Sequence, residues 1–138
     1  MTEPKPGSTR DAELIVGPAD LASALRFEAG DVFPAVFATA RMVAIMEVAA
    51  ARVLGPCLAP GEMSVGVSVD IRHTAPTPVG AKVTTTARYL GRDGKLFEFE
   101  VVAVDPGGEI GRGLHKRAIV DAARLESGAA RRTGSTGG

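Results

Sequence analysis

The chain has 138 residues, of which 45% are hydrophobic and 23% charged, values near the globular average that suit one packed domain and exclude wholesale disorder. Its 16 basic and 16 acidic side chains cancel, which removes the electrostatic case for nucleic acid or an anionic membrane as partner. One cysteine excludes an internal disulfide, and one cysteine with two histidines excludes a zinc-finger cluster, so no metal or other cofactor is expected.

Residues 1–10 are polar and carry Pro, Gly and Lys, and residues 126–138 are small, polar and Gly-rich. Both stretches read as flexible tails around one unit, 11–125, with no internal repeat or linker. The N-terminus lacks an apolar signal segment, and no run approaches the length of a membrane span, so a soluble cytoplasmic protein is expected. The unit opens with a short strand candidate from Glu13, a possible helical turn over Pro18–Arg26, and an irregular stretch marked by Gly30 and Pro34. From Phe37 to about Cys57, FATARMVAIMEVAAARVLGPC predicts a helix that Gly55-Pro56 stops. Arg41 and Arg52 share one stripe of that helix, while most other faces are apolar or small, as in a helix covered on several sides.

After Pro60-Gly61 the hydrophobic period changes from 3.6 to 2. In Met63–His73 simple alternation puts Val65, Val67, Val69, Ile71 and His73 on one face and Ser64, Gly66, Ser68 and Asp70 on the other. Pro76 and Pro78 end this strand. Lys82–Leu90 and Leu96–Val104 predict a hairpin about Asp93-Gly94, and Pro106-Gly107-Gly108 turns into a last strand, Glu109–Asp121. A short strand, a helix with several faces to bury, and four antiparallel strands in a meander-like run predict an α+β fold. The sheet would wrap around the long central helix, the hotdog architecture.

Three side chains stand where packing alone does not call for them. Glu47 has Val43, Ala44, Ala50 and Ala51 as its helix neighbours and no cation among them, so it is paired from another element, functionally tuned, or reaches water at the helix edge. His73 closes a strand before a proline loop, a place where a core histidine and a catalytic one are equally at home. Thr39 at the start of the helix reads first as a cap. Gly66 interrupts a valine-rich strand, which marks a bulge or a close approach, and an N–H freed there can donate to an oxyanion. Arg117 near the end of the last strand reads as a solvated arginine, and Cys57 as a small buried hydrophobe. His115 lies in the more charged Gly-Leu-His-Lys-Arg and is the weaker histidine. The chain lacks a nucleophile elbow, a P-loop, a dinucleotide fingerprint and metal-ligand spacing.

These residues fall in a recognisable pattern. The run FPAVFATARMVAIMEVAAARVLGPCLAPGEMSVGVSVDIRHTAPTPVG, Phe33 to Gly80, and GEIGRGLHKRAIV, Gly108 to Val120, resemble the fluoroacetyl-CoA thioesterase family of single hotdog domains, over roughly residues 12–125. The resemblance implies a catalytic threonine, glutamate and histidine at Thr39, Glu47 and His73. It also implies a thioester-holding glycine at Gly66, a substrate-side arginine at Arg117, an aromatic gate at Phe33, and a homodimer with active sites near the subunit interface. The segment ahead of Phe33, Ala29-Gly30-Asp31-Val32, is smaller than the apolar lid of the fluoroacetyl-specific pattern. What the resemblance implies is therefore hydrolysis of a small acyl-CoA, fluoroacetyl-CoA among the candidates, to free acid and CoA. His73 would be the general base and acid, Thr39 the nucleophile or the group that orients water, and Glu47 the support of His73 or of the attacking water. A non-catalytic CoA-binding hotdog module and a hotdog enoyl-thioester hydratase are the alternatives. Thr39 and Glu47 lie eight residues apart, about 12 Å along one helix, so a site using both calls for a bridging group or a partner subunit.

Overall fold

Five stretches with period-2 patterning form one antiparallel sheet in the computed structural model, which describes residues 2–134. The strands are β1 (Thr9–Ile15), β2 (Glu62–His73), β3 (Lys82–Asp93), β4 (Leu96–Asp105) and β5 (Gly108–Asp121), in spatial order β1-β3-β4-β5-β2. Helix α1 (Thr39–Leu54) lies between β1 and β2 in sequence, and α2 (Ala122–Thr133) follows β5. Two single 3-10 turns, Pro18–Asp20 and Ala22–Ala24, stand where one helical turn is expected.

The predicted run of neighbouring strands is interrupted: β2 pairs with β5, at the far side of the sheet from β1, and not with β3. Two-residue turns, Gly94-Lys95 and Pro106-Gly107, join β3 to β4 and β4 to β5, which makes those pairs hairpins. The link from β2 to β3 is the longer segment 74–81, whose Pro76 and Pro78 supply no backbone donors, and it carries the chain across the sheet. β1 and β2 are left as the two edges.

α1 buries Met42, Ile45, Met46, Ala49, Ala50, Val53 and Leu54, a stripe at helical spacing, against a sheet face that includes Tyr89, Phe97, Phe99, Val101 and Ile110. Ala49 and Ala50 have the smallest side chains on that stripe and let helix and sheet approach closely. Arg41 and Arg52 share the open side, as their spacing predicts, together with Ala40 and Val48. The expectation that several faces are covered is thus not met within one chain, because the sheet curls over one side of the helix only.

The face assignment in β2 also changes. The register slips between Gly66 and Ser68: Gly66 pairs with Arg117, Ser68 with Lys116 and Val69 with His115. Paired residues point to the same side of an antiparallel sheet, so Gly66 joins Val69, Ile71 and His73 on the helix side, and strict alternation fails at the bulge. The residues opposite Ile71 and His73 are Gly113 and Gly111, and neither leaves room for a methyl. A Cβ on Gly113 would overlap the Asp70 carbonyl oxygen and come within 2.6 Å of Ile71 Cα, both in the backbone of β2. Gly113→Ala is expected to lower stability by about 1–3 kcal/mol, read as a lower urea midpoint at unchanged slope, because a paired backbone must shift.

The tails are shorter than expected. Gly7 N–H donates to the Tyr89 carbonyl and Tyr89 N–H to Ser8, so the sheet already holds the chain before residue 11. The segment from 126 is helical through Thr133. Asp121 caps α2 by accepting from Arg124 N–H, Arg131 and Arg132 sit in its last turn, and Gly134 ends it at φ 71°. These signals were in the sequence but are masked by its Gly-rich, low-hydrophobicity composition. Residues 135–138 of the expected tail lie outside the described residues.

Candidate functional site

The site falls into two halves at successive turns of α1. In the first, Ala38 is the N-cap of α1 and makes no side-chain cap, so Thr39 is not the capping residue. Its hydroxyl instead lies 2.8 Å from His73 Nδ1. Three backbone bonds fix the entry to α1: Phe37 N–H to Thr77, Ala38 N–H to Asp20, and Ala22 N–H to Val36. The Asp20 carboxylate takes the Arg41 guanidinium at 2.8 Å, placing a negative charge beside the helix start. On the other side, Thr74 N–H donates to the Ile110 carbonyl and anchors the end of β2, while the Phe37 ring meets the His73 ring edge-on at 6.5 Å.

Thr39 and His73 line a cavity of about 350 Å³ with Ala22, Pro34, Val36, Phe37, Thr74, Ala75 and Pro76, a largely apolar wall of a size that takes a small organic group. His73 Nε2 is buried there with no hydrogen-bond partner among the described residues. Burial pulls the His73 imidazole below its ordinary value, and the Ala75 backbone opposes this weakly. The arrangement is a hydroxyl against a neutral imidazole, the pairing that general-base chemistry needs.

The second half surrounds Glu47. Of the readings open for this carboxylate, the structure shows pairing from another element: Arg117 on β5 reaches it with Nη1 at 3.2 Å. Arg117 is buried, with 6% exposure, which overturns the expectation of a solvated arginine. Its Nε donates to Ser64 Oγ at 2.9 Å, its Nη2 to the Ser64 carbonyl at 2.9 Å, and its Nη1 also meets His115 Nε2 at 3.1 Å. Burial pulls the guanidinium down from its usual range, and Glu47 counteracts that. Gly66 sits directly over this group, where a Cβ would overlap Glu47 Oε1 and lie 3.3 Å from His115 Cε1. A side chain at 66 would therefore displace the Glu47 carboxylate, and the bulge reading of Gly66 stands.

Thr39 and His73 are thus together, as are Glu47, Gly66 and Arg117, but among the described residues no hydrogen bond or ion pair joins the two sets. Phe33 is half-exposed next to the cavity-lining Pro34 and is not itself part of the wall. Phe27 and Val32 of the same segment stand almost fully exposed. Sequence reasoning passed over His115, judged the weaker histidine, and Ser64. The available signal was that His115 and Arg117 are two apart on one strand and so share a face.

The model of a family described as fluoroacetyl-CoA-specific thioesterase matches residues 16–123. A fluoroacetyl-CoA thioesterase of Streptantibioticus cattleyicolor is 46% identical over 88 residues, 64% of this chain, and the chain matches 63% of the length of that curated relative. Among solved structures, the fluoroacetyl-CoA thioesterase FlK superposes with a TM-score of 0.89 at 34% identity, covering 94% of this chain and 98% of that one. A thioesterase superfamily member from Thermus thermophilus superposes with a TM-score of 0.86 at 30% identity, covering 96% of each. A hot-dog-like protein from Thermanaerovibrio acidaminovorans reaches 0.80 at 26%, covering 97% of this chain and 94% of that one.

Proposed function

The chain belongs to the fluoroacetyl-CoA-specific thioesterase family, and from that membership we propose that it hydrolyses a small acyl-CoA to the free acid and CoA. The observation that carries this reading is the 2.8 Å contact between the Thr39 hydroxyl and His73 Nδ1 at the wall of an apolar cavity. An acyl group seated in the cavity would put its carbonyl carbon in reach of Thr39 or of a water held by it. His73 accepts the proton as the new C–O bond forms and returns one to the departing CoA thiolate. Fluoroacetyl-CoA is one candidate substrate, and the exposed Phe33 is the proposed gate to the acyl pocket.

The separate Glu47 cluster is accounted for by a homodimer. β2 is an edge strand whose Met63, Val67 and Val69 are exposed apolar residues, an edge that soluble proteins cover or pair. An antiparallel pairing of two β2 edges about Ser68 sets His73 opposite Met63 of the partner subunit. The two copies of α1 then run antiparallel, and a two-fold axis near Val43 sets Thr39 beside the partner's Glu47. Each site would combine Thr39 and His73 of one chain with Glu47, Gly66 and Arg117 of the other. Gly66 N–H would hold the oxyanion and Glu47 would orient water or His73. The proposed location is the cytoplasm, where an unpaired thiol such as Cys57 stays reduced.

The test measures CoA release from acetyl-, fluoroacetyl- and longer acyl-CoAs with a thiol reagent. It then mixes two inactive variants, His73→Ala and Glu47→Ala, after dissociation and reassociation. Composite sites give hybrid dimers one intact site each, so activity returns; a mixture that stays silent sinks the shared-site arrangement. Binding without CoA release favours the passive CoA-binding module instead.

A further inference from the structure

Among the groups outside the Thr39–His73 pair, His115 is the one whose protonation state the surrounding atoms dictate. It is buried, with 1% exposure, on β5. Its Nδ1 lies 2.9 Å from the Ser68 carbonyl oxygen, and its Nε2 lies 3.1 Å from Arg117 Nη1. A carbonyl only accepts and a guanidinium only donates, so the proton must sit on Nδ1 and the lone pair on Nε2. Ser68 is the first paired residue after the β2 register slip, and a Cβ added to Gly66 would lie 3.3 Å from the same ring. One imidazole therefore links three things: the bulge that presents Gly66, the guanidinium that holds Glu47, and, through that guanidinium, Ser64.

We propose that His115, as the neutral Nδ1–H tautomer, is a positioning residue that pins the β2 bulge to Arg117 and thereby sets both the Gly66 N–H and the Glu47 carboxylate. This role rests on the thioesterase reading of the site. His115 touches neither the cavity nor Thr39 or His73, so it acts only through its neighbours. A side chain with one donor and one acceptor is needed at this position, whereas a hydrophobe of the same size would leave the Ser68 carbonyl one donor short and Arg117 Nη1 one acceptor short.

Two variants separate this role from simple packing. His115→Phe keeps the ring volume and removes both nitrogens, while His115→Gln keeps one donor and one acceptor. We expect the phenylalanine variant to lose about 10- to 100-fold in kcat with KM changed by no more than about three-fold, and the glutamine variant to recover most of the loss. Equal losses in the two, or wild-type kcat with phenylalanine, overturn the proposal. Thermal melting of both shows whether either has merely unfolded. An arm independent of turnover is long-range proton–nitrogen NMR of the intact protein near neutral pH. It should show His115 protonated on Nδ1 alone, with an Arg117 Nε–H resonance protected in wild type and in His115→Gln. An Nε2–H tautomer overturns the assignment. Wild-type protein that releases no CoA from any acyl-CoA tried defeats the hydrolase reading alone, and the NMR arm then decides the pinning of Arg117 and the bulge.

Discussion

His73→Ala is expected to lower kcat for acyl-CoA hydrolysis by about 10²- to 10⁴-fold, the range spanned by a positioned general base, with little change in melting temperature. The side chain ends a strand, its Nε2 has no hydrogen-bond partner among the described residues, and its removal enlarges an existing cavity rather than opening one in the core. Thr39→Ala should fall in the same direction, since it removes the hydroxyl that His73 meets. The pH profile carries a sign that follows from burial. The imidazole value is lowered from 6.5, so the neutral base persists below that pH. The acid limb of kcat/KM should have its midpoint under 6.5, with a plateau at neutral pH. The stability consequence has the same sense: a depressed imidazole contributes stability that is complete above the unfolded value and is lost as pH falls through the folded one. An acid limb centred above 6.5 overturns the burial argument, and a His73→Ala variant of undiminished kcat removes His73 from the mechanism.

Arg117→Ala is expected to cost about 3 kcal/mol in stability, the lower end for breaking a buried charge pair, and to reduce hydrolysis as well. The lower end applies because Glu47 keeps 40% side-chain exposure and stays hydrated when its partner goes. Four contacts disappear together: Glu47, Ser64 Oγ, the Ser64 carbonyl and His115 Nε2. Arg117→Lys should restore the charge without the function, since an ammonium cannot reproduce a planar fork that serves a hydroxyl, a carbonyl, a carboxylate and an imidazole at once. Urea unfolding reports the first effect and CoA release the second. An Arg117→Lys variant with full activity would show that only the charge matters.

The elements were largely legible because their signals are local. The period of the apolar residues separates α1 from the strands, and Gly94 and Gly107 mark two hairpin turns. Strand order was less legible: nothing in β2 itself says that its neighbour is β5, since both β3 and β5 present apolar faces of suitable length. The bulge at Gly66 was foreseeable as a glycine in a strand, but its consequence for which residues face the helix was not, because a register slip is a property of two strands. The C-terminal helix was hidden by composition, its caps being weak evidence beside a mean hydropathy too low to predict packing.

At the site the division has the same cause. Residue types alone marked out Thr39, Glu47, Gly66 and His73, because each is a polar or missing side chain in an otherwise apolar or β-branched stretch. Family resemblance added Arg117 and Phe33. What the chain could not disclose without folding is which of these meet: Thr39 with His73, Glu47 with Arg117 under Gly66, and His115 with the Ser68 carbonyl and the Arg117 fork. Sequence by itself determined the kinds of element and the chemistry available to them, since backbone preference and side-chain reactivity belong to single residues and their near neighbours. Tertiary structure alone decided the pairings, the burial of Arg117 and the proton position on His115, since these depend on atoms that lie far apart in the chain and converge only when the sheet curls over the helix.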